Sequence, residues 1–418
     1  MPAFAGMTSK AGIDPLESER LTPRSQENGL DPLIWVRAVH FAATVSVSGV
    51  VFFLAWVGEP AFRVAAPDEA IAALVHRRLA GIAWISLAVV VLTGVAWLVL
   101  LAKQMSERPL AAMWSEGVLR TVLLDTDFGN VWLARSVLVV LVAMAWGPFP
   151  FAATPRSPWQ RGATLAFAAA LVGALAFAGH AASGEGVDGI VQEAADFLHL
   201  VAAAAWVGAL LPLAVVLGAA QDRHGARGAP AVAIARAATL RFSTLGIVSV
   251  AIVLATGIVN SWERVGSVAA LVGTDYGRLL SLKVALFLVM LAVAAVNRLQ
   301  LTPRLVQEPD AAAQQDALRQ LRRNALVEAG LGAIILVIVA SLGMLPPPDE
   351  QTSREGAATY PRLVAGTGTP GIFTRTEPSA VRLVKYSVFQ SSPPNAMLVV
   401  CGLPWTMRPS FRPCGSMT

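Results

Sequence analysis

The chain has 418 residues, of which 55% are hydrophobic and only 14% charged, with a mean hydropathy of +0.60. Those fractions lie outside the range of soluble globular domains and point to an integral membrane protein. The net charge of +5 and pI near 9.7 argue for no nucleic-acid partner, because the basic residues collect in loops between apolar runs, where membrane orientation places them.

Residues 1–32 form a polar extension without the basic-then-apolar pattern of a signal peptide, so the first apolar segment is expected to direct insertion. Eight runs then supply the roughly 20 apolar residues that a helix needs to cross the hydrocarbon core. They lie near 33–58, 79–102, 130–148, 162–181, 190–218, 241–262, 278–297 and 325–345, with the fifth long enough to tilt or project. None shows the period-two alternation of a barrel strand. The expected architecture over 33–345 is therefore all-α, a polytopic membrane helix bundle of about eight transmembrane helices in lipid. Residues 346–418 open on Pro346-Pro347-Pro348 and carry scattered Gly, Pro, Ser and Arg without helical periodicity. Both ends of the chain are expected to be disordered. Cys401 and Cys414 fall in that tail, which excludes thiolate chemistry within the membrane.

Orientation follows from Lys and Arg in the loops. The loops between helices 1–2, 3–4, 5–6 and 7–8 hold 14 of them, against 5 in loops 2–3, 4–5 and 6–7. The first set is therefore expected in the cytoplasm and both termini outside. The basic tail argues the other way, but lies too far from the spans to weigh in this rule. On that topology His40 sits roughly 10 Å and His199 roughly 13 Å below the outer face, at 1.5 Å per residue. His180 falls at the outer end of the fourth segment, so the three imidazoles could surround one metal or haem site open to the outside.

Asp196 and His199 are three residues apart and share a helix face. An ionisable side chain at that depth costs about 2.5–3.5 kcal/mol unless paired, and such residues usually face the bundle interior. Two roles are open for Asp196: holding one ring nitrogen of a ligating histidine, or pairing with Lys283 at similar depth as a structural clamp. His76 and His224 read as solvated loop residues. The ten methionines form no ladder that would suit a copper path, and Met344, near the outer end of helix eight, is the one candidate among them. Gly49, Gly94, Gly173, Gly208 and Gly257 allow close helix contacts. Below the outer site the polar residues that stand out are Asn297 and Arg298. The absence of a Walker loop, His-Glu-x-x-His and Gly-x-Ser-x-Gly gives no support to ATP hydrolysis or peptide cleavage, so no enzymatic activity is expected.

Several fragments occur in a familiar order. Helix one carries Trp35-Val-Arg37-Ala-Val-His40, followed by Gly49. Next come Gly179-His180-Ala181, Asp196-Phe-Leu-His199-Leu and Trp206-Val-Gly208. Arg241-Phe242-Ser243, Thr256-Gly257, Tyr276-Gly277-Arg278 with Lys283, and Asn297-Arg298 before Pro303 complete the set. Together, over about residues 33–345, they resemble the CopD family of bacterial copper-resistance and copper-uptake proteins. The resemblance implies an eight-helix inner-membrane protein that takes copper from the periplasm, often from a CopC-type carrier, and passes it towards the cytoplasm. It carries over His40, His180, Asp196 and His199 as the metal site, with His40 and His199 at its core, His180 at its mouth and Asp196 orienting or charging it.

Two rivals stay open. In one, His40 and His199 ligate a single b-type haem from two helices at matching depth. In the other, the bundle senses copper or scaffolds a periplasmic partner and moves nothing.

Overall fold

The structure, a computed structural model, describes residues 31–64, 69–106, 109–115, 117–147, 157–178, 187–222, 228–265, 268–307 and 310–345, together with 374–377 and 380–383. Most of both terminal extensions, including Cys401 and Cys414, lies outside these residues, as do His180 and His224.

Eight helices build the membrane unit: α1 (Pro32–Phe53), α2 (Glu69–Ser106), α3 (Asp127–Trp146), α4 (Pro158–Gly173), α5 (Val187–Gln221), α6 (Gly228–Val265), α7 (Asp275–Val296) and α8 (Ala311–Leu342). All but α4 are long and apolar enough to cross a membrane. Short helices stand between α2 and α3 (Leu110–Ser115 and Val118–Leu124) and before α7 (Val268–Gly273). Polar residues close the helix ends. Asp31 caps α1 through Leu33 N, Ser157 and Gln160 form a reciprocal capping box on α4, and Asp310 accepts from two backbone amides of α8.

Helices α1 and α5 form the centre, with 78% and 67% of their apolar stretches buried, against 11–39% in the other long helices. Helix α1 packs on α2, α4, α5 and α8, while α5 packs on α6, α8, α1 and α4. The outer helices turn large apolar side chains outward, such as Leu92 (69% exposed), Met144 (74%) and Ile258 (69%). In water such a surface would aggregate; in a bilayer it is the lipid face.

Helices α1 and α7 both end in a π-helical turn, Leu54–Gly58 and Asn297–Leu301, and each turn is followed two residues later by a proline, Pro60 and Pro303. Proline lacks an N–H and its ring crowds the carbonyl four residues back, so a widened turn lets the helix continue past it.

The segment after Glu355 is a separate unit, whose described residues form an antiparallel hairpin of β1 (Thr374–Glu377) and β2 (Ala380–Leu383) with Thr374 opposite Leu383.

Candidate metal site

His40 is only 4% exposed on α1, and both of its ring nitrogens are occupied. Nδ1 lies 2.9 Å from Thr93 Oγ1 on α2, and Nε2 lies 2.8 Å from Arg135 Nη2 on α3. A guanidinium is a donor only, so Nε2 must offer its lone pair and the ring proton must sit on Nδ1. Thr93 fits that assignment, because its own hydrogen goes to Val89 O at 2.6 Å and its oxygen is left to accept. The second arm of Arg135 donates to Leu171 O on α4 at 2.9 Å, so the network behind this imidazole ties α1 to α2, α3 and α4. Trp97 meets the ring edge-on at 5.5 Å, and a cavity of about 290 Å³ opens between His40, Trp97, Trp132 and Arg135.

His199 on α5 has the same local wiring. Its Nδ1 lies 2.9 Å from Thr256 Oγ1 on α6, and Thr256 gives its hydrogen to Ile252 O at 2.6 Å. The imidazole therefore donates from Nδ1 and carries its lone pair on Nε2. The Lys283 ammonium on α7 lies within electrostatic reach of this ring. Asp196 and Lys283 are both engaged in interactions of their own.

These parallels belong to a duplication that runs through the bundle. Gly49 follows His40 by nine residues, and Gly208 follows His199 by nine. Each threonine is followed by a glycine, Gly94 or Gly257, and a Cβ on either would lie 3.5 Å from the Cε1 of the histidine it faces. Helix α3 opens on Thr126-Asp-Phe-Gly129 and α7 on Thr274-Asp-Tyr-Gly277, and in each the threonine hydroxyl accepts from the glycine amide at 3.0 Å. Nine residues after those threonines stand Arg135 and Lys283. Helices 1–4 and 5–8 are thus two copies of one plan. The counterparts Gly49 and Gly208 meet each other, so closely that a Cβ on Gly49 would lie 2.2 Å from Gly208 C. A self-contact between equivalent positions marks a pseudo-twofold axis between α1 and α5.

The pseudosymmetry gives His40 and His199 equivalent places but turns each into its own half. Among the described contacts, His40 meets α2 and α3, His199 meets α6 and α7, and the two share no neighbour. Among the described residues, no three His, Cys, Asp or Glu side chains come together closely enough to hold a metal. Met344 is engaged by Arg37: its sulfur lies 3.3 Å from Arg37 Nη1, and Arg37 also stacks over Trp97 and ties α1 to Gly343 O at the end of α8. His76 uses Nδ1 on Ala72 O one turn back, a local bond. Arg135 and Thr93 were not singled out from sequence, and Thr256 only as part of the Thr256-Gly257 fragment, although the repeated Thr-Asp-aromatic-Gly element ahead of Arg135 and Lys283 was there to be found.

Residues 29–190 match the family described as "Copper resistance protein D-like, N-terminal domain", and residues 236–342 match "Copper resistance protein D". Among curated proteins, the chain is 31% identical over 266 residues to Copper resistance protein D of Pseudomonas syringae pv. tomato, covering 62% of this chain and 81% of that protein. It is 32% identical over 225 residues to Inner membrane protein YebZ of Escherichia coli (strain K12), covering 54% and 71%. It is 30% identical over 234 residues to Copper transport protein CutJ of Bacillus subtilis (strain 168), covering 56% of this chain and 40% of that protein. No solved structure matches the chain.

Proposed function

The chain belongs to the copper resistance protein D family, and from that premise we propose that it binds copper at His40 and His199 and carries it across the bacterial inner membrane from periplasm towards cytoplasm. The observation that carries this reading is the paired wiring of the two imidazoles. In each, a threonine hydroxyl accepts from Nδ1–H and so leaves the lone pair on Nε2. Neutral imidazole with one nitrogen held by an oxygen partner is the form in which histidine ligates copper, and such a partner fixes both tautomer and ring orientation.

The two halves provide one imidazole each, which makes two sites of one metal apiece. At His40 the guanidinium of Arg135 stands where the metal would bond, so copper and Arg135 compete for one lone pair. Copper entry there requires Arg135 to swing towards Leu171 O, which it already reaches. At His199 the position of Lys283 is the counterpart of Arg135, and Asp196 lies one turn away to offset its charge. The excess of basic residues in alternate loops supports both termini in the periplasm, with the N-terminal ends of α1 and α5 and the His180 segment facing that side. His180 would then meet copper first, and a CopC-type carrier would deliver it to that face.

Proteoliposomes test the transport step. Copper accumulates in vesicles holding the parent protein and not in those holding the His40→Ala, His199→Ala double variant. Copper that binds to the parent externally without accumulating would reduce the protein to a sensor or scaffold.

A further inference from the structure

At the opposite end of the second half lies a polar group that copper binding does not use. Glu328 on α8 is 1% exposed. Its Oε1 accepts from Asn297 Nδ2 at 2.7 Å, and Asn297 Oδ1 in turn accepts from Asn324 Nδ2 at 2.7 Å. Its Oε2 is buried with no hydrogen-bond partner among the described residues. The π-turn at Asn297–Leu301 places Asn297 against α8, and Thr302 Oγ1 braces that turn by donating to Asn297 O at 2.7 Å.

Glu328 lines a cavity of about 380 Å³ between α5, α6, α7 and α8, whose other walls are largely apolar. Among the described residues, Arg298 is the only other charged side chain on its lining, and it donates to Ser243 Oγ on α6. The remaining polar positions, Thr239, Ser243, Asn297 and Thr302, are neutral. A carboxylate with one bare oxygen in such surroundings is expensive, and a bound proton removes its charge.

We propose that Glu328 is a proton-binding site, loaded and emptied through this cavity, and that it is the residue through which the protein couples to protons. Its protonation stands on the geometry alone, whereas its coupling to copper rests on the transport function proposed above. Glu328 lies five residues past the Arg322-Arg323 pair on α8, or about 8 Å along the helix, so protons would arrive from the charged first half of that helix.

Infrared spectra of the purified full-length protein, titrated with pH in H2O and D2O, test the site without any metal. The expected result is a protonated-carboxyl C=O band that shifts in D2O, titrates in the parent and in Asp196→Asn, and is lost in Glu328→Gln. Glu328→Asp keeps a carboxyl at the position and should retain a shifted band even if Glu328→Gln fails to fold. A parent without such a band, or one that is unchanged in Glu328→Gln, would overturn the proposal. In vesicles, copper-driven proton movement should vanish in Glu328→Gln while bound copper per protein stays at the parent value. Proton movement equal to the parent's would overturn the coupling. A parent that binds no copper but keeps the infrared band would fail the transport reading and leave the proton site standing.

Discussion

Arg135 donates to Nε2 of His40 across 2.8 Å, so a guanidinium holds the one lone pair that this imidazole can offer a metal. A charge-assisted hydrogen bond of this kind is worth about 1.5–3 kcal/mol. Removing it should therefore free the ligand. Arg135→Met is expected to tighten copper binding at His40 by about tenfold or more, measured by competition with a chelator. Weaker binding would mean that Arg135 holds the ring in its ligating pose and does not compete with the metal.

The threonine partners should matter equally in the two halves. Thr93→Val and Thr256→Val each leave an Nδ1–H without its acceptor and free the ring to change tautomer and tilt. Each is expected to lower copper affinity by about 10- to 100-fold, the usual effect of losing a partner behind a ligating histidine. An effect in only one half would restrict the site to that half.

Acid should release the metal. A proton on Nε2 takes the lone pair that copper needs, so copper retained after dialysis falls over the pH range in which the two rings take up protons, followed by NMR of the imidazole nitrogens. Copper still retained at a pH where both rings are protonated would exclude imidazole as the main ligand.

The glycine crossing predicts a stability effect independent of copper. Gly49→Val places a side chain against the Gly208 backbone, and α1 and α5 must move apart across their whole contact. A loss of about 1–3 kcal/mol follows from such overpacking, read as a lowered unfolding temperature in detergent. Gly81→Ala, whose Cβ would meet nothing within 4 Å, should be neutral or slightly stabilising, since alanine favours a helix over glycine.

The helical bundle was legible in the sequence because long apolar runs have few alternatives in a membrane, but its centre at α1 and α5 was not. Nor were the helix ends. Helices α2, α6 and α8 begin at Glu69, Gly228 and Ala311, about 10 or more residues before the apolar runs near 79, 241 and 325, because a helix continues past the point where its side chains become polar. The fourth segment moved the other way. Its helix starts at the Ser157-Pro158 cap and stops at Gly173, where the Phe197 ring crowds the position a Cβ would take. His40 and His199 stood out as imidazoles in apolar runs, and the duplication gives them equivalent positions in the two halves. Their separation into two halves did not show, since hydropathy gives depth along a helix and not the direction a side chain faces. Arg135 and Glu328 were overlooked for a related reason: one charge in an apolar run looks tolerated until the partner from another helix is seen. His180 lies outside the described residues, so its place at the mouth of the site belongs to the proposed function alone.

Copper stoichiometry with a visible spectrum tests the central claim most directly, on the detergent-purified parent, the two single variants His40→Ala and His199→Ala, and the double variant. The account predicts a colourless or weakly coloured parent whose bound copper falls by about half in each single variant and to background in the double variant. Copper content unchanged in the double variant would contradict it, as would a Soret band in the parent that the double variant loses, which would make these histidines haem ligands.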